Sequence, residues 1–405
     1  MNTAGKSWDQ WLRRLTFGSA VALVSALGAA ALLRLSGAQI ATATANMGDV
    51  QRGERLAQRL NCYACHILGK EVASHYAAHP QSAPDLRAVA AKLTREVAYA
   101  QIHKPSDVSE HTLMPAYFGQ SNNDDPASLE RGEEEVHAMV HYLFVNSEQV
   151  SLPAPTGGGD AARGKNLVTS KGCLSCHADE PSVMSAAELA DKFQGAYGGN
   201  FFVIGRKAKP EWIFAFIKSP KRFAPTTPMP DLALTDQEAA DVTAYLVDKP
   251  ANEPAHAPLP APPAVDDVLL DDLAFDYLSK TTYESEAIRQ INTWDRNAKL
   301  YYLGFRLVRR YGCYGCHHIK GFEDAEPNGE DLVKWRDKRI NMTGFGVLEI
   351  PLGHYSAARV KLQDPRVFEK GLVFDPYDRL IMPKFALQPR EIDDLAAFVV
   401  NRGAQ

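Results

Sequence analysis

The chain has 405 residues, of which 45% are hydrophobic, and a formal net charge of −5. This length exceeds what one ordinary hydrophobic core organises and favours two to four domains. The mild acidity argues against a nucleic-acid partner, because proteins that bind phosphate backbones present a basic face.

An apolar run opens the chain at residues 16–33, with Arg13 and Arg14 before it and Arg34 after it. Its 18 uncharged residues are near the lower limit for a membrane-spanning helix. The basic residues before it predict a cytoplasmic N-terminus and export of the chain that follows. A cleaved signal peptide is the alternative, since small residues at 41–43 suit a cleavage site. Arg34 directly after the run favours a retained anchor.

Two stretches rich in proline or glycine, 152–160 and 249–265, divide the exported part into three segments. Each segment contains one Cys-Xaa-Xaa-Cys-His sequence. The predicted boundaries are 1–47 for the cytoplasmic tip, the anchor (about 16–33) and a linker, 48–151 for segment one, 160–249 for segment two, 250–265 for a proline-rich linker, and 266–405 for an acidic helical extension with segment three.

The three Cys-Xaa-Xaa-Cys-His motifs are "CYACH" at 62–66, "CLSCH" at 173–177 and "CYGCH" at 313–317. They use every cysteine of the chain: Cys62, Cys65, Cys173, Cys176, Cys313 and Cys316. A thioredoxin-like pair needs a strand–helix–strand setting, which the sequence lacks. A zinc site needs four ligands, and a disulfide within each pair would close only a tiny loop.

Covalent haem is the chemistry that this spacing favours, because two thiols add to the porphyrin vinyl groups while the adjacent histidine reaches the iron. Three copies on an exported chain with no spare cysteine predict three covalently bound haem c groups. His66, His177 and His317 are then the proximal iron ligands.

A common helical frame surrounds the motifs. Gly53, Gly164 and Gly304 each lie nine residues before the first cysteine of their motif, on a predicted leading helix. Each segment then has a helix that stops before a proline (102–105, 217–220 and 362–365), a Met-Pro pair and a closing amphipathic helix. No alternating strand pattern competes, so the sequence predicts an all-α protein.

On these features each segment resembles a class I cytochrome c domain, over roughly 48–150, 160–250 and 295–405. The resemblance implies three tandem domains of this fold after the N-terminal transmembrane helix. In that family the leading helix crosses the closing helix at a glycine, against an aromatic side chain. The matching pairs within each segment are Gly53 with Tyr142, Gly164 with Tyr245, and Gly304 with Phe398.

The family also braces its proximal histidine with a backbone carbonyl from a proline-containing segment. Residues 83–86 match this position in segment one, and 326–332 match it more loosely in segment three. Segment two departs from the pattern at 198–205, so its brace stays open.

A methionine thioether is the distal iron ligand that the resemblance implies, and it suits one-electron transfer. Met114, Met229 and Met382 each precede a proline once per segment and are the predicted ligands. Met342 is the competitor in segment three. Met139 falls on the apolar stripe of a helix and is predicted to be core.

About 38 residues between the proline-rich linker and Gly304 are rich in Asp, Tyr and Leu. One interpretation is a helix that covers its own domain. The other is a docking surface for a basic partner, through acidic residues such as Asp266, Asp267, Asp271 and Asp272.

With all three irons closed, no substrate site or catalytic residue is expected, and the chain is predicted to relay single electrons. We expect a membrane-anchored protein of a bacterial inner membrane with its haem domains in the periplasm, as a subunit of a cytochrome b/Rieske-type or terminal-oxidase complex; a soluble cytochrome is a further partner. The alternatives are the tri-haem subunit of a periplasmic alcohol or sugar-acid dehydrogenase that passes electrons to ubiquinone, and a haem enzyme such as a peroxidase. No nucleic-acid partner is expected.

Overall fold

The computed structural model describes residues 48–68, 83–109, 112–153, 157–179, 198–225, 227–248, 258–339, 348 and 353–401. Within these residues the fold is helical and contains no strand, which confirms the predicted all-α class. The predicted anchor at 16–33 lies outside them. No helix in the described ranges is both long and apolar enough to cross a membrane.

The α-helices of the described residues follow one another in a simple order, and each Cys-Xaa-Xaa-Cys-His motif begins with a short 3-10 turn after a leading helix. The helices are α1 (Val50–Arg59), α2 (Val89–Lys92), α3 (Arg95–His103), α4 (Pro105–Val108), α5 (Pro126–Val145), α6 (Ala161–Ser170), α7 (Phe201–Lys207), α8 (Pro210–Lys218), α9 (Pro220–Phe223), α10 (Asp236–Val247), α11 (Asp267–Ser279), α12 (Glu284–Thr293), α13 (Arg296–Tyr311), α14 (His354–Gln363) and α15 (Pro389–Asn401). The leading helices are α1, α6 and α13, and the closing helices are α5, α10 and α15.

Local sequence signals fix where these helices begin and end. The side chains of Asp49, Asp160 and Asp295 cap the three leading helices by accepting a backbone N–H three residues later. A capping box of Thr235 and Glu238 opens α10. Helices α3, α8 and α14 end before the prolines that were expected to stop them.

Segment two packs as predicted. A Cβ atom placed on Gly164 would lie 2.0 Å from the carbonyl oxygen of Asp241 and 2.8 Å from the Cβ of Tyr245. Only glycine therefore lets α6 and α10 cross so closely. The buried Asp241 carboxylate also accepts two hydrogen bonds of 2.8 Å, one from Nε of Arg163 and one from the backbone N–H of Asp160.

Segments one and three have exchanged their leading helices. A Cβ on Gly53 would lie 2.1 Å from the carbonyl oxygen of Asp394 and 2.7 Å from the Cβ of Phe398. A Cβ on Gly304 would lie 2.6 Å from the Cβ of Tyr142. The prediction that Gly53 meets Tyr142 and Gly304 meets Phe398 is therefore wrong. Both crossings exist, but each joins parts of the chain that are far apart in sequence.

We name the resulting bodies by the motif that they contain. Counting only their described residues, unit I (48–68 with 329–401) contains the motif at 62–66, unit II (157–248) the motif at 173–177, and unit III (83–148 with 258–326) the motif at 313–317. Leu56 and Ala57 of α1 pack with Leu395 and Phe398 of α15 in the core of unit I. In unit III, α13 packs on α5, and Met139 lies in the shared core at 1% exposure, as predicted. Segments one and three thus do not fold as two separate domains.

The insert before Gly304 covers unit III. Leu270, Leu273 and Tyr277 of α11 are buried in the core of this unit. Two of its carboxylates are matched within the same unit, because Asp267 pairs with Arg296 and Asp271 pairs with Lys299. These contacts support the interpretation that the insert is a helix covering its own domain. They also leave fewer unpaired carboxylates for docking a basic partner.

Candidate haem-binding sites

Each motif histidine is oriented by a backbone carbonyl. The Nδ1 atoms of His66, His177 and His317 lie 2.8, 2.7 and 2.7 Å from the carbonyl oxygens of Glu330, Gly199 and Pro84. A carbonyl can only accept, so Nδ1 carries the proton and Nε2 keeps its lone pair. Burial lowers the pKa of all three imidazoles and favours this neutral form. An oriented, neutral imidazole of this kind is suited to bind iron.

The braces of units I and III come from the opposite segment to the one expected. Residues 83–86 were predicted to brace His66, but Pro84 braces His317. Residues 326–332 were predicted to serve His317, but Glu330 braces His66. The reason is the exchange of leading helices, which carries each motif into the other body. The brace that the sequence left open in segment two is the carbonyl of Gly199.

The same backbone frame is built at all three motifs. In each unit, the residue two positions after the bracing residue donates its backbone N–H to the carbonyl oxygen of the residue that follows the motif histidine. These bonds run from Leu332 to Ile67 at 3.0 Å, from Phe201 to Ala178 at 2.8 Å, and from Leu86 to His318 at 3.0 Å. Unit II forms this frame from neighbouring sequence. Units I and III form it from residues more than 200 positions apart.

Glycine before the brace makes room for the imidazole in units I and II. A Cβ on Gly198 would lie 2.2 Å from the Cε1 of His177, and one on Gly329 would lie 2.9 Å from the Cε1 of His66. The His177 ring also stacks on Phe201, with ring centroids 4.2 Å apart. The sequence left this brace open because residues 198–205 contain no proline; the signal was the Gly198–Gly199 pair.

No disulfide joins any of the six cysteines, and Cys62, Cys173 and Cys313 each pack against a hydrophobic core. Burial raises the pKa of the Cys62, Cys65 and Cys313 thiols to about 12, which disfavours the thiolate that a metal–sulfur site uses. A haem thioether is neutral and pays no such penalty. The donor set therefore fits covalent haem.

The three predicted methionines lie on loops that polar contacts hold in place. Thr112 and Thr227 accept the backbone N–H of Met114 and Met229 through their hydroxyl oxygens, at 3.1 and 3.2 Å. Met382 is held differently: the guanidinium of Arg366, which is 2% exposed, donates to the Met382 carbonyl at 3.2 Å. The competitor Met342 lies outside the described residues.

Comparison with known proteins agrees with this site in unit II. Residues 161–249 match the family model described as Cytochrome c. No curated protein and no solved structure matches the chain. The chain thus contains a cytochrome c domain, which implies a covalently bound haem c with its iron and a role in haem-based electron transfer.

Proposed function

We propose that this chain is a tri-haem cytochrome c that relays single electrons and has no substrate site of its own. The observation that carries the proposal is the threefold repetition of one frame. Units I and III reproduce the histidine brace and the backbone hydrogen bond of unit II, whose sequence matches the cytochrome c family.

The distal ligands that we propose follow the exchanged units. Met229 serves the iron of His177 within unit II. Met114 lies in unit III and serves the iron of His317, and Met382 lies in unit I and serves the iron of His66. This replaces the pairing by segment, in which Met114 would have served His66. The contact of Tyr117 with α13, through its hydroxyl to the carbonyl of Tyr311 at 3.0 Å, supports the crossed pairing.

Bound haem supplies a one-electron Fe(III)/Fe(II) couple. The protein holds each imidazole in one orientation and tautomer, so ligation needs little rearrangement when the electron arrives. Met114, Met229 and Met382 would each supply a thioether that favours the reduced iron and leaves no position for oxygen or peroxide.

The setting that we propose is a periplasmic one, with residues 16–33 anchoring the chain in a bacterial inner membrane. A tethered cytochrome exchanges electrons with a fixed partner, and the partner we propose is a respiratory complex of the cytochrome b/Rieske or terminal-oxidase kind. The apolar run and its flanking arginines support this setting.

The test is purification of the full chain in mild detergent, followed by haem and protein quantification. We expect three haem c per chain, a reduced spectrum insensitive to carbon monoxide, and co-purified cytochrome b or oxidase subunits. A carbon monoxide adduct would contradict the closed irons and favour a haem enzyme. A co-purified flavin or quinoprotein dehydrogenase would contradict the respiratory partner.

A further inference from the structure

The residue before each motif has a left-handed backbone conformation, and only the first motif uses a residue other than glycine there. The φ angles are +53° at Asn61, +76° at Gly172 and +67° at Gly312. Glycine adopts this conformation at least cost, so an asparagine here calls for a use of its side chain. The Asn61 amide donates to the carbonyl of Gly315 at 3.3 Å and lies 3.8 Å from the sulfur of Cys316. Asn61 is 8% exposed and thus joins the motif of unit I to that of unit III.

The backbones of these two motifs also touch. A Cβ on Gly315 would lie 2.5 Å from the carbonyl oxygen of Ala64. The other two motifs carry Ala64 and Ser175 at the position of Gly315. Glycine at this position in the third motif is what permits so close an approach.

Unit II joins the others through the helix that packs on its own motif histidine. Helix α7 begins at Phe201, which stacks on His177, and spans about 10 Å. Near its other end, Arg206 donates to the carbonyls of Asp107 and Val108, both at 2.7 Å. The helix thus leads from the His177 site to unit III.

A second contact reaches helix α2 of unit III. The backbone N–H of Lys209 donates to the carbonyl of Lys92 at 2.9 Å, and its Nζ donates to the carbonyl of Ala90 at 2.7 Å. These acceptors follow Pro84, the residue that braces His317. Unit II is therefore docked beside the His317 site.

We infer that the three sites are ordered in space as 173–177, 313–317 and 62–66, so the last motif in the sequence is the middle relay. Asn61 is the positioning residue at the junction of the last two. The inference rests on the proposed function, because it orders the three haems of that proposal. Each step moves one electron: the donor iron goes from Fe(II) to Fe(III), the acceptor iron goes from Fe(III) to Fe(II), and no bond or proton changes place.

Pulsed electron paramagnetic resonance on the oxidised full-length protein tests the order. Met229→His, Met114→His and Met382→His each replace one thioether by an imidazole and so change the g-values of one low-spin iron, which can then be selected. We expect the iron altered by Met114→His to have two near neighbours. The irons altered by Met229→His and Met382→His should each have one near neighbour and lie farthest from each other.

Asn61→Gly tests the junction, because it removes the Asn61 amide and introduces the glycine that the other two motifs have in this conformation. We expect the shortest of the iron–iron distances to become longer or its distribution broader, and the reduction potential of the middle haem to shift. The reduction potential of the unit II haem should stay unchanged. Gly172→Asn is the matched control, since among the described residues a Cβ at this position meets only the Ser175 hydroxyl, 3.8 Å away. It should leave all three distances as they were.

A wild-type protein with fewer than three low-spin ferric haems would contradict the proposed function itself. Three haems with the iron of His177 or His66 in the middle would overturn the order alone. Unchanged distances and potentials in Asn61→Gly would overturn the role of Asn61.

Discussion

The Nδ1 of His66 lies 2.8 Å from the carbonyl oxygen of Glu330, a residue 264 positions further along the chain. The histidine of the first motif is thus oriented by a residue from the last third of the sequence. His317 is oriented in return by Pro84, 233 positions earlier. The two sites therefore assemble together, and damage to either half of the pair is expected to reach both.

The brace of His177 gives the first prediction. Gly198→Ala places a methyl group where the imidazole now lies, 2.2 Å from its Cε1, so the ring must turn away from its brace. We expect loss or high-spin conversion of one haem of three, measured by the absorption spectrum and haem content. Gly199→Ala is the control, because a Cβ there meets nothing within 4 Å. Equal effects of the two substitutions would contradict the brace geometry.

The core of unit I gives the second prediction. Phe398 of α15 is 2% exposed and packs against Gly53 of α1. Phe398→Ala should lower the free energy of unfolding by about 3–5 kcal/mol, the usual cost of removing a buried aromatic side chain. The spectrum of the haem at Cys62 and Cys65 should change before that of the haem at Cys313 and Cys316. The reverse order in a denaturant titration would argue that Phe398 packs on α13, as the segment-wise arrangement required.

A buried carboxylate in unit II gives a prediction about pH. The hydrogen bond from Arg163 holds the pKa of Asp241 well below its ordinary value of 3.8. A lowered folded-state pKa stabilises the fold above the unfolded value and loses that contribution as the pH falls through the folded value. Asp241→Asn should therefore be less stable than wild type at pH 7, and the difference should shrink below about pH 4.

Thermal unfolding of the two proteins at pH 7 and pH 3 checks this, followed at the unit II haem. Asp236→Asn is the control, because Asp236 is an exposed residue of the same helix. A stability difference that grows as the pH falls would show the opposite sign and contradict the role assigned to Arg163.

A buried hydroxyl in unit III gives the fourth prediction. The Tyr311 hydroxyl donates to Oε2 of Glu135 at 2.5 Å, and Arg131 pairs with the other carboxylate oxygen at 3.0 Å. Tyr311→Phe leaves a buried carboxylate short of one donor and should cost about 1–3 kcal/mol. Tyr283→Phe, at a side chain that is 87% exposed, should cost nothing measurable. Equal unfolding free energies of Tyr311→Phe and wild type would show that this hydrogen bond does not stabilise unit III.

The local elements were predictable because their signals are local. The proline stops and the apolar stripe of α5 each act within a few residues, and the structure has them where the sequence predicts them. The exchange of leading helices was not predictable on these grounds. The surface that α15 presents to Gly53, beside Phe398, is of the same kind as the surface that α5 would present beside Tyr142. The local sequence therefore does not say which of the two closing helices Gly53 packs against.

One sequence difference does discriminate between the two arrangements after the fact. The Arg52 guanidinium needs a buried carboxylate on the closing helix, and Asp394 supplies it with Nε 2.8 Å from Oδ2. The corresponding position on α5 is Ala138, which offers no partner. Arg163 with Asp241 in unit II shows the same pairing.

Proteolysis of the intact chain tests the exchange of helices most directly. Protease sites placed at 154–156 and within 249–257 would cut both connections of unit II, after which the products are separated under native conditions. We predict that the fragment ending before residue 154 and the fragment starting after residue 257 stay together with two haems, whether or not unit II remains docked on them. Their separation into two fragments with one haem each, under conditions where the spectra remain native, would contradict it.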